Sequence, residues 1–142
     1  MNTKMRILIA EDESITRQLL ESTLTQWGYE VIVTRNGTDA LEVLQKEDRP
    51  MLAILDWFMP GMDGIKIIRN IREKEETKPL YIIVLSMMTL KEGVIDALRE
   101  GADDYITKPF HEEELRARLL VGVRIVEKME KLYNKKIELK CG

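Results

Sequence analysis

Short apolar runs punctuate the chain, separated by stretches with helical spacing. Four runs stand out: residues 5–10 (MRILIA), 51–56 (MLAILD), 80–86 (LYIIVLS) and 104–107 (DYIT). A weaker fifth is residues 30–34 (EVIVT). They are near-continuous rather than alternating, the pattern of strands covered on both faces. Between them, apolar residues recur every three or four positions. Ser14 can cap a first helix whose inner side carries Leu20, Leu24 and Trp27, with Gly28 as its stop. Residues 38–45 offer Ala40, Leu41 and Leu44, and residues 65–73 offer Ile65, Ile68 and Ile71. Residues 90–100 offer Val94, Ala97 and Leu98, ended by Gly101. Asn36-Gly37 is a hairpin signal, but the helical periodicity after it overrides that reading. Five βα units result, and they predict one parallel sheet with helices on both faces.

The last helix is long. It can begin near His111, where Glu112, Glu113 and Glu114 suit a helix N-terminus. Gly122 is its only weak point before Leu139. About 28 residues at about 1.5 Å each exceed what one small sheet can cover. Beyond Gly122, Ile125, Met129, Leu132 and Leu139 follow at spacings of four, three and seven, and Val126, Tyr133 and Ile137 widen the stripe. Such a stripe needs a partner. The pattern therefore divides the chain into a domain over residues 1–121 and a helical extension, a possible coiled coil, over residues 122–142.

The totals sharpen this picture. A chain of 142 residues, 44% hydrophobic, can hold one globular domain with its own core. A net charge of −3 argues against a general nucleic-acid binder. The single cysteine, Cys141, permits no intrachain disulfide and suits a reducing cytoplasm. The longest apolar run, Leu80 to Met88 interrupted by Ser86, is far below the roughly 20 residues of a membrane span.

The predicted strands end in polar chemistry. The first leads into Glu11-Asp12-Glu13, the third ends at Asp56, the fourth at Ser86, and the fifth runs into Thr107-Lys108. In doubly wound sheets, sites form beyond the carboxyl ends of the strands where the order reverses. With strand order 2-1-3-4-5, that crevice lies between the first and third strands. It would gather Glu11, Asp12 and Asp56, with Ser86 and Lys108 on the far side. Clustered carboxylates repel one another and raise pKa values unless a cation joins them. Hard oxygen ligands with room for water favour Mg²⁺, or Mn²⁺ in its place. A carboxylate so placed can act as a nucleophile toward phosphorus, with Lys108 and Ser86 holding phosphoryl oxygens. Glu13 reads as a solvated helix start, and His111 as an exposed residue of a first helical turn.

Four segments in order, ILIAEDE, LDWFMPGMDG, IIVLS and DYITKPF, resemble the receiver domain of two-component response regulators over nearly all of the first 121 residues. The resemblance implies a flavodoxin-like fold. It implies Mg²⁺ held by Glu11, Asp12, Asp56 and the backbone carbonyl of Phe58. It further implies that Asp56 accepts a phosphoryl group from a histidine kinase or phosphotransfer protein, as an acceptor rather than an enzyme. A cis bond before Pro109 and a switch through Ser86 and Tyr105 belong to the same pattern. Glu11 stands where the family more often has aspartate. Met87 stands where it usually has a small residue, and Phe58 and Met88 are bulky at neighbouring positions. These three side chains are expected to shield an aspartyl phosphate from water. The rival reading is a degenerate receiver that acts only by binding or dimerising. The helix from Glu114 to Leu132 resembles linkers that join receivers to diguanylate cyclase or phosphatase domains. Six Lys/Arg against three Glu give residues 123–140 a net +3, read as a solvated flank rather than a DNA contact. A homodimer is expected, through the C-terminal helix or the face of the fourth helix, fifth strand and fifth helix.

Overall fold

A computed structural model describes residues 5–47, 51–73 and 80–141. Strands and helices alternate: β1 (Arg6–Ala10), α1 (Ser14–Gln26), β2 (Glu30–Thr34), α2 (Gly37–Lys46), β3 (Met51–Asp56), α3 (Gly64–Arg72), β4 (Leu80–Ser86), α4 (Lys91–Glu100), β5 (Asp104–Thr107) and α5 (Glu112–Cys141). All strand pairs are parallel, and the sheet order is β2-β1-β3-β4-β5. The five βα units and the strand order match the expectation.

The continuous apolar strands have a direct cause. Successive side chains leave a strand on opposite faces, and both faces are covered. Leu8, Ala53, Leu55, Ile82 and Val84 pack into one core with Ala40, Leu44, Ile65, Ile68 and Ala97 from α2, α3 and α4. Ile7, Ile9, Leu52, Ile54, Ile83 and Leu85 pack into the other with Leu20, Leu24, Leu115 and Leu119 from α1 and α5.

Three details depart from the sequence reading. The cap of α1 is Glu13, not Ser14, which is the first helical residue. The Glu13 carboxylate accepts from the backbone N–H of Ile15 (2.6 Å) and Thr16 (3.1 Å). It satisfies two free amides and places negative charge at the helix start; those hydrogen bonds hold its pKa below the usual carboxylate value. Leu98, expected to face inward, is exposed; Ala97 and Gly93 occupy the buried side of α4. Val126, expected in the outer stripe, is wholly buried in the second core.

Gly122 does not weaken α5, which runs for 30 residues, about 45 Å. A Cβ at position 122 would meet the Leu52 and Tyr81 side chains at 2.7 and 2.8 Å. The glycine lets α5 press against β3 and β4. Past Val126 the helix leaves the core, and Leu132 and Leu139 are 68% and 83% exposed. The Cys141 side chain lies outside the described residues.

Candidate functional site

The parallel register sets the site. β1 and β3 run side by side, with Ala10 paired to Leu55. The residues that follow, Glu11-Asp12 and Asp56, therefore emerge together at the carboxyl rim. One carboxylate oxygen from each of Glu11, Asp12 and Asp56 can be chosen so that all three lie within 4.8 Å of one another. Glu11 is fully buried, Asp56 is 5% exposed, and Asp12 faces solvent.

Lys108 reaches back from the end of β5, across β4, into this cluster. Its Nζ lies 2.6 Å from Glu11 Oε1 and 3.2 Å from Asp56 Oδ2. The lysine is thus between the acids rather than on the far side of the crevice. The Lys108–Pro109 peptide is cis, as the resemblance implies. Burial opposes the ammonium charge, but Glu11 and Asp56 outweigh it and raise the Lys108 pKa. Asp56 is pushed up to about 7, first by burial and then by the neighbouring Glu11, with Lys108 pulling the other way. One ammonium does not neutralise three carboxylates.

Other contacts hold the acids in place. Glu13 donates its backbone N–H to Glu11 Oε2 (3.1 Å), and the Glu11 N–H donates to Thr34 O (3.2 Å). Arg17, largely buried in α1, donates from one guanidinium nitrogen to the carbonyls of Glu11 (3.2 Å) and Asp12 (3.1 Å). Sequence reasoning missed Arg17. Its only signal was its place on the helix after the acids, one turn into α1, where a long cation can bend back to their carbonyls.

Ser86 is buried at the tip of β4, and its Oγ accepts from the Met88 N–H (3.1 Å). The Met88 carbonyl accepts from the Tyr105 hydroxyl (2.8 Å). Tyr105 is buried and meets Trp57 edge-on, with ring centroids 6.4 Å apart. The Met88 peptide unit region therefore joins Ser86 to Tyr105. Phe58 is exposed and stacks on Trp57 at 5.2 Å and 7°. Met88 is half-buried, its sulfur filling the space above Gly93. Met87 is 78% exposed.

The donor set fits a small hard cation. It is all oxygen, drawn from carboxylates, with one solvent-facing member that leaves room for water. Glu11 Oε1 is buried and lies 2.6 Å from the Lys108 ammonium.

Residues 7–120 match the family described as response regulator receiver domain, and the chain belongs to that family. It is 42% identical over 128 residues to a probable transcriptional regulator, ycf27, of Pyropia yezoensis; the match covers 90% of this chain and 51% of that one. The chain thus spans about half the length of the curated relatives it matches. Among solved structures, it resembles the receiver domain of the sensor histidine kinase PA1611 of Pseudomonas aeruginosa (TM-score 0.70, 27% identity, covering 91% of this chain and 99% of that one). That structure has a magnesium ion coordinated in its active-site cleft. A probable two-component system response regulator/GGDEF domain protein is similar too (TM-score 0.78, 27% identity, covering 87% of this chain and 50% of that one). No helix among the described residues is long and apolar enough to cross a membrane.

Proposed function

We propose that this receiver domain takes a phosphoryl group onto Asp56 from the phosphohistidine of a sensor kinase or phosphotransfer protein. The observation that carries the reading is the Lys108 ammonium set against both Asp56 and Glu11 at one sheet rim. An Asp56 oxygen attacks phosphorus, the phosphorus–nitrogen bond breaks, and the departing imidazole keeps the electron pair and takes up a proton. Glu11, Asp12, Asp56 and the Phe58 carbonyl would hold Mg²⁺ or Mn²⁺. When bound, that ion supplies positive charge against the phosphoryl oxygens and against the carboxylate repulsion. Lys108 then turns from Asp56 to a phosphoryl oxygen, and the Ser86 hydroxyl donates to another.

The hydrogen bonds from Ser86 through Met88 to Tyr105 provide the route outward. Drawing Ser86 toward the phosphoryl group shifts Met88 and with it the Tyr105 partner. The surface of α4, β5 and α5 changes as one of two arrangements gains population. Met87, Met88 and Phe58 at the rim slow water's approach to the acyl phosphate. Residues 1–121 act as the receiver, and residues 122–142 as a linker or dimerising extension in a cytoplasmic, two-component pathway. The exposed Leu132 and Leu139, carried beyond the core on a continuous helix, favour pairing with a second copy.

Incubation with a small phosphodonor and Mg²⁺, followed by intact mass, tests the central step. The expected result is one added phosphoryl group on the wild type and none on Asp56→Asn. No addition to the wild type would favour the degenerate, binding-only receiver.

A further inference from the structure

The loop between β3 and α3 carries Phe58, and close contacts at three glycines, Gly37, Gly61 and Gly64, fix that loop. Gly64 closes its base: the Gly64 N–H donates to Trp57 O at 2.7 Å, and a Cβ there would stand 2.6 Å from Asp56 O. Its far side rests on the first turn of α2. The Gly37 N–H donates to Pro60 O at 3.3 Å. A Cβ on Gly37 would lie 1.6 Å from Met62 O and 2.5 Å from Met62 C. A Cβ on Gly61 would lie 2.6 Å from Thr38 Oγ1. The Gly37 clash is with backbone, so no rotamer change relieves it. Either α2 or the loop has to move, and α2 is anchored. Asn36 caps it by accepting from the Asp39 N–H (2.8 Å), and Ala40 and Leu44 are buried in the core.

We infer that Gly37 is a positioning residue for the metal site: backbone contact between α2 and the β3–α3 loop sets where that loop offers the Phe58 carbonyl. This rests on the metal-dependent reading above and adds to it a residue that supplies no ligand itself. Groups that hold ligands in place are worth about 10- to 100-fold in metal affinity. Coupling is also reciprocal: if the α2 contact favours metal binding, metal binding favours the contact.

Calorimetric titration with Mg²⁺ alone tests this on three chains: wild type, Gly37→Ala and Gly28→Ala. Gly28 has φ +94° and would place a Cβ in open space, so its substitution strains the backbone far from the loop. Gly37→Ala is expected to bind Mg²⁺ about tenfold or more weakly, and Gly28→Ala to bind like wild type. Equal affinity in Gly37→Ala and wild type would overturn the inference, as would an equal loss in Gly28→Ala. Should Gly37→Ala fail to fold, amide exchange on the wild type decides: Mg²⁺ is expected to slow exchange at Gly37, and unchanged exchange would overturn the inference. A wild type that takes up no Mg²⁺ would instead overturn the metal reading itself.

Discussion

At the carboxyl rim of the sheet, the charged Glu11 and Asp56 are all but removed from water; on the last turns of α5, the apolar Leu132 and Leu139 stand in it. Both regions reverse the ordinary distribution of side chains. The sheet between them obeys it, with Ile and Leu closing both of its faces. The two reversals differ in kind. Buried carboxylates carry an electrostatic cost that a cation can relieve. Exposed leucines carry a smaller hydrophobic cost that only another surface can relieve. Each inversion underlies one of the proposals above, an ion at the rim and a second copy along α5.

α5 makes the contrast testable within one helix. Leu119 is fully buried against the sheet, so Leu119→Ala should cost about 2–5 kcal/mol in denaturant unfolding. An effect near zero would break the division between a packed and an unpartnered half. At the rim, Asp56→Asn in metal-free buffer reads the cost of the buried charge. The folded pKa of about 7 lies above the ordinary 3.8. Stability from this group is therefore complete below about pH 3.8 and is lost as pH rises through 7. Asp56→Asn should be more stable than wild type at pH 8 by roughly 1–3 kcal/mol, an advantage that shrinks toward pH 4. A constant difference across that range would remove the charge argument.

Smaller effects sharpen the comparison. Leu132→Ala should change the unfolding free energy of the dilute chain by no more than about 0.5 kcal/mol, while weakening self-association in sedimentation. A wild type that stays monomeric at high concentration, with and without phosphorylation, would leave those leucines without the proposed partner. Smallest is Met87→Ala, expected to speed loss of the phosphoryl group a few-fold by opening the rim. An unchanged rate would assign the shielding to Met88 and Phe58 alone.

The extent of what could be read in advance follows from locality. Near-continuous apolar runs, and helical stripes between them, reflect backbone geometry within a few residues. They identified the five βα units. Asp56 at the tip of a buried strand and Glu11-Asp12 at the tip of another were legible for the same reason. Capping was less so, because Glu13 and Ser14 are adjacent and only the extended backbone at Glu13 decides which one takes the free amides. Folding alone brought Lys108 across β4 to lie 2.6 Å from Glu11, bent Arg17 back onto two carbonyls, and buried Val126 beyond a glycine that looked like a weak point. It also set Gly37 against the Met62 backbone, some two dozen residues away along the chain. These contacts depend on distances between elements that are far apart in the chain. No local pattern encodes such distances; they arise when two cores close on either side of one sheet.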